Sequence, residues 1–200
     1  MRHILFVCTQ NAGRSQMAAA FFDRLAPADV RADTAGTRPG ERIHPAVVEA
    51  MRERGLDLSR RRPRLLTVEE QLRASLAVTL SCDGRCSFVA RAVEEWPIDD
   101  PAGAPIDEVR RIRDEIEQRV TTLVRERIDD ARRPPDEHER RLMRLLLALA
   151  RRFGGRRSPH EIRAAAEHAL RIVEAGARNA VRPGPFPMSL AHRLAREQLA

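Results

Sequence analysis

Through the first 131 residues, short wholly apolar runs alternate with segments whose apolar residues recur every three or four positions. "RHILFVC" (2–8) predicts a strand, "GRSQMAAAFFDRLA" (13–26) a helix, and "VRADTAG" (30–36) a second strand closed by a turn. "HPAVVEAMRERG" (44–55) carries proline in its first turn and glycine just past its end, the punctuation of a helix. "ASLAVTLSC" (74–82) predicts a third, buried strand, and "VEEWPI" (93–98) a shorter fourth that Pro97 pushes towards a sheet edge. A long amphipathic helix is expected over 105–130, with Val109, Ile112, Ile116, Val120, Leu123 and Val124 on one face.

Strands that alternate with helices imply right-handed crossovers, so the expected fold is α/β, a four-stranded parallel sheet with helices on both faces. Such sheets hold their sites beyond the carboxyl ends of the strands. Cys8, Cys82 and the pair Asp99-Asp100 all stand just past predicted strand ends.

The pattern changes at "ARRPPDEHERR", a proline-rich charged break. We expect one domain over 1–131, a linker over 132–139 and a small all-α extension over 140–200. Its helices are predicted over 141–153, 158–176 and 186–199, the second opened by a capping box of Ser158 and Glu161.

Composition narrows the class. The chain has no apolar stretch long enough to span a bilayer, and "ILFV" is too short for a signal peptide, so a cytoplasmic protein with no membrane partner is expected. Three cysteines in a reducing compartment favour catalytic or redox use over a structural disulfide framework. Cys82 and Cys86 are four apart with no second ligand pair behind them, so no metal site is expected.

The net charge of +7 is uneven: residues 1–131 hold 21 arginines against 22 acids, residues 132–200 hold 15 against 7. The tail arginines come in pairs, but without stacking aromatics or a helix-turn-helix pattern nucleic acid is not an expected partner.

"CTQNAGRS" carries the chemistry. Between a strand and a helix, the backbone N–H groups of Thr9, Gln10, Asn11, Ala12 and Gly13 can turn inward as an anion nest at the positive end of the helix. Gly13 allows close approach and any positive φ that the curl demands. Arg14 adds a planar fork of donors for two oxygens of a tetrahedral oxyanion. The same field favours thiolate at Cys8, and Ser15 can donate its hydroxyl to the sulfur. Cys8 is then a nucleophile aimed at the centre of a bound phosphate-like ion.

This loop resembles that of the low-molecular-weight protein tyrosine phosphatase superfamily, and "NAGRSQMA" is similar to its arsenate reductase branch, where glutamine follows the serine. The resemblance continues through "TAGTRPGERIHPAVVEAMRERGLDLS", "VTLSCDGRC" and "WPIDDPAG", over roughly residues 1–130. It implies Asp100, the aspartate before proline, as general acid, with Asp99 a like-charged neighbour.

It also implies the fate of the sulfur: Cys8 attacks arsenate, Cys82 attacks Cys8 to release arsenite, and Cys86 then takes Cys82 into a second disulfide. An external thiol reductant, thioredoxin or mycothiol, would reduce it, with no bound cofactor. Phosphate and sulfate would compete with arsenate. In such a sheet the third strand lies beside the first, which brings Cys82 towards Cys8.

Cysteines four apart on a regular helix are too far apart for a disulfide, so 82–90 is expected as loop. The alternatives are a phosphatase that hydrolyses a Cys8 phosphoenzyme and an arsenate-mycothiol transferase. The absence of tyrosine and the single tryptophan, Trp96, leave little to grip phosphotyrosine. His44 is expected to be structural.

Overall fold

The computed structural model describes residues 2–81, 92–154, 156–178 and 187–200. Cys82 and Cys86, and the loop expected over 82–90, lie outside the described residues. The chain divides into two compact units, Met1–Pro134 and Pro135–Ala200.

In the first unit β1 (Arg2–Cys8), β2 (Val30–Gly36), β3 (Leu76–Leu80) and β4 (Ala92–Trp96) form one sheet in the order β2-β1-β3-β4, parallel throughout. β1 is central and buried on both faces, which is why it reads as a continuous apolar run. Ile4, Phe6 and Cys8 face a large core completed by α1 (Arg14–Leu25), α2 (Pro45–Arg52) and α4 (Ile106–Arg132). Leu5 and Val7 face a thinner layer with Ala35, Leu66 and Ala74, beside α3 (Val68–Arg73). The predicted stripe of α4 is the buried one, with Val109, Ile112, Ile116, Val120 and Leu123 in that core and Val124 partly buried against it.

Several boundaries differ from expectation for local reasons. β3 stops at Leu80 because Ser81 turns into the left-handed region, at φ 52°. Residues 74–75 are not strand; Ala74 closes α3, a helix that periodicity missed because six residues show too little of the period. Its capping box, Thr67 with Glu70, was in the sequence all the same. α4 runs on to Arg132, and the stretch between it and the next helix is short. Pro97 follows β4, the outer strand, as expected.

The second unit holds, among the described residues, α5 (Glu137–Phe153), α6 (Pro159–Arg178) and α7 (Met188–Leu199). They pack on one another. Leu142, Leu145, Leu146 and Leu149 of α5, Ile162, Ala166, Ala169 and Leu170 of α6, and Ala191 and Ala195 of α7 are buried at helical spacing. α5 and α6 open on capping boxes, Asp136 with Glu139 and Ser158 with Glu161.

Candidate active site

α1 begins differently from α3 and α5. Its N-cap is Gly13, no side chain caps it, and its first turn holds no acid. The positive end of the helix is thereby left to the loop in front of it, residues 8–14.

The loop carbonyls are held by the segment after β2. Thr37, Arg38, Gly40 and His44 donate their backbone N–H groups to the carbonyls of Cys8, Thr9, Gln10 and Ala12, at 2.8–3.3 Å. On the inner side, the Asn11 N–H donates to Cys8 Sγ at 3.2 Å and Ser15 Oγ lies 3.1 Å from the same sulfur. A thiolate can only accept, so in that state Ser15 is the donor. Cys8 is 1 % exposed, at the bottom of the loop and paired in register with Gly36.

Asn11 is the hub. It is fully buried with φ 53°, a left-handed conformation that asparagine tolerates better than most residues. Its Nδ2 donates to Ser15 Oγ at 2.8 Å, and its Oδ1 accepts from Gln16 Nε2 at 3.1 Å and from the Arg64 N–H at 2.9 Å. Neither Gln16 nor Arg64 was an expected site residue. Gln16 stands in the quoted motif, but only the fold shows that its buried amide holds Asn11 in place.

Gly13 has φ −146°, so it is not needed for left-handed backbone. It is needed for space: a Cβ there would lie 2.7 Å from Pro101 Cγ. Gly36 is tighter still, since a Cβ would meet Thr9 O at 2.8 Å and Asn11 N at 2.9 Å. No sequence pattern marked that contact, which joins the end of β2 to the loop after β1.

Arg14 is buried and faces the segment after β4. One guanidinium nitrogen donates to Ile98 O at 3.2 Å and the other to Asp100 Oδ2 at 3.0 Å. Asp100, half exposed, also accepts from the Ala102 N–H through Oδ1. On this loop and the turn of helix that follows it, Cys8 thus meets Ser15, and Arg14 meets Asp100.

Asp99 does not join them. Its exposed carboxylate pairs with Arg111 of α4 at 2.5 Å, so the two aspartates face different arginines. Ser81, which precedes Cys82, ties these parts together. Its hydroxyl donates to Ile98 O and accepts from Ile98 N, and its carbonyl accepts from Thr9 Oγ1 at 3.3 Å.

Trp96 is a core residue, 2 % exposed and tilted against Phe6. The His44 backbone opens α2 and holds Ala12 O, the structural role expected of it. Among the described residues, no three His, Cys, Asp or Glu side chains gather to hold a metal ion.

The profile of the low molecular weight phosphotyrosine protein phosphatase family matches residues 3–133. The chain belongs to that family. Within it, the chain is 42 % identical over 125 residues to a putative arsenate reductase of Halobacterium salinarum, covering 59 % of this chain and 87 % of the relative.

Among solved structures, an arsenate reductase from Archaeoglobus fulgidus superimposes with a TM-score of 0.53 at 34 % identity, covering 62 % of this chain and 99 % of that one. A thioredoxin-dependent arsenate reductase from Corynebacterium glutamicum gives 0.54 at 31 % identity, over 62 % and 60 % of the two chains. The phosphatase-family match ends where the first unit ends, and the second unit lies beyond it.

Proposed function

We propose that this protein reduces arsenate to arsenite, with Cys8 as nucleophile and Cys82 and Cys86 as the thiols that carry the electrons. The loop amides and Arg14 bind three arsenate oxygens, and Cys8 Sγ attacks arsenic. Asp100 gives its proton to the departing oxygen, which leaves as water. Cys82 thiolate then attacks Cys8 Sγ. The S–As bond breaks with its electron pair passing to arsenic, so As(V) becomes As(III), arsenite leaves, and a Cys8–Cys82 disulfide remains. Cys86 attacks Cys82, Cys8 is freed, and an external dithiol reduces the Cys82–Cys86 disulfide. The balance is arsenate plus one dithiol giving arsenite, water and one disulfide.

One observation carries the reading past a simple phosphatase: the carbonyl of Ser81, next in sequence to Cys82, accepts a hydrogen bond from Thr9 inside the Cys8 loop. The residue before the second thiol is thus bonded to the loop of the first. The similarity to arsenate reductases supports the same conclusion. Similarity to a thioredoxin-dependent arsenate reductase of Corynebacterium supports a thiol reductant and makes thioredoxin the first to test.

The test is NADPH consumption with arsenate, thioredoxin and thioredoxin reductase. Cys8→Ser should abolish all arsenate chemistry, whereas Cys86→Ser should release about one arsenite per chain and then stop. Steady turnover in both Cys82→Ser and Cys86→Ser would overturn the relay. Turnover with mycothiol in place of thioredoxin would reassign the reductant, and phosphomonoester hydrolysis without arsenate turnover would make the protein a phosphatase.

A further inference from the structure

The arginine pairs of the tail take no part in that chemistry, and in the second unit several of them converge. A cavity of about 670 Å³ lies where α5 and α7 end and α6 begins, lined by Arg152, Arg156, Arg157, Arg193 and Arg196 against Glu197 and the carboxyl-terminal residue Ala200. Elsewhere arginines in this chain meet carboxylates: Arg110 and Arg113 share Glu53, Arg140 and Arg141 share Glu137, and Arg163 takes Glu167.

At the cavity that matching fails. Among the described residues Arg156 and Arg193 meet no carboxylate, and Arg152 lies over the Phe153 ring at 5.7 Å. Arg196 Nε donates to a main-chain carbonyl, His192 O, at 3.2 Å. Arg157 Nε does the same to Leu199 O at 3.0 Å, while its other end stands 3.6 Å from Glu161. The carbonyl bond anchors the Arg196 guanidinium without cancelling its charge, whereas Glu161 pairs with that of Arg157. The C-terminal ends of α5 and α7 offset about half a charge each and the N-terminal end of α6 returns about as much, so with Glu161 and Glu197 counted the site stays net positive.

We propose that this cavity is a binding site for a compact polyanion of the di- or triphosphate class. Its volume falls in the range of roughly 300–1,000 Å³ typical of small-molecule sites. Planar guanidinium forks bind phosphoryl oxygens in pairs and stay charged at every accessible pH. A duplex would call for a strip of cations tracking its phosphates, and single-stranded bases for open aromatic faces. The arginines here surround a hollow instead, and the ring of Phe153 is already covered by Arg152.

The test titrates the full chain carrying Arg14→Ala, which weakens oxyanion binding at the Cys8 loop, with sodium tripolyphosphate in 0.15 M salt by calorimetry. One saturable site is expected. Adding Arg156→Ala and Arg193→Ala should weaken it by at least about tenfold, as the loss of two charge-assisted contacts implies, with the helical circular dichroism unchanged.

Four results would overturn the proposal: no saturable heat, undiminished affinity in the triple variant, binding seen in the wild-type chain but lost with Arg14→Ala alone, or a 20-base-pair duplex binding more tightly than tripolyphosphate. The last would make the cavity part of a nucleic-acid surface.

Discussion

The donors around Cys8 are held by two residues that never touch it. Gln16 and the Arg64 backbone hold the Asn11 amide oxygen, and Asn11 in turn aims its N–H at the sulfur and its Nδ2 at Ser15. Gln16→Met fills the same space without the donor, so Cys8 alkylation by iodoacetamide at neutral pH should slow by roughly 2–10-fold, the worth of one net hydrogen bond. Gln16→Glu should do worse, because a carboxylate cannot donate to Asn11 Oδ1; an unchanged rate in both variants would exclude the role.

The two close glycines differ in the same way. Gly13→Ala presses on Pro101, the tip of a ring on a loop, and should lower kcat by displacing Asp100 while the chain still folds. Gly36→Ala presses on backbone that has nowhere to go, and should cost about 1–3 kcal/mol of stability as well as activity, read by urea unfolding.

Among the elements, α4 covers one face of the sheet in the first unit. Its buried stripe closes the larger core, so Ile116→Ala should destabilise by about 2–5 kcal/mol. Its outer side meets the end of α2 through Glu53, whose carboxyl Arg110 and then Arg113 hold down from 4.5 to about 2. A depressed folded value means that this tie is fully present above pH 4.5 and is lost as pH falls towards 2. The melting temperatures of the parent and Glu53→Gln should therefore differ at pH 6 and converge on acidification through that window; a constant gap would refute the linkage.

At α1 the same logic of charge runs towards function. With no side-chain cap and no acid in its first turn, α1 forgoes local stability, as an anion site at that end would require.

For the molecule as a whole, the division at Pro134 predicts separable behaviour. The family match stops at residue 133, so a chain ending at 134 should fold cooperatively and keep arsenate turnover; loss of the fold in that truncation would show that the helical unit is part of the enzyme's stability.

Local pattern alone determined a good deal of this protein. A buried parallel strand is apolar on both faces, an amphipathic helix repeats every three or four residues, and a phosphate-type loop needs Cys8, Arg14 and Ser15 at fixed spacing on one turn of chain. All of these are short-range properties, and all could be read in order along the chain.

The rest depends on residues distant in sequence that meet across the sheet. Only the resemblance preferred Asp100 to its neighbour Asp99, and the physical separation comes from tertiary packing, which pairs Asp99 with Arg111 of α4 and Asp100 with Arg14. The close approach of Gly36 to Thr9, the Arg64 bond to Asn11, and Ser81 bridging Thr9 to Ile98 likewise exist only once β2, β1, β3 and β4 lie side by side. The thiol and its ring of donors were written in eight consecutive residues. What holds that ring in shape and brings it an acid is contact between strand ends, which only the assembled sheet creates.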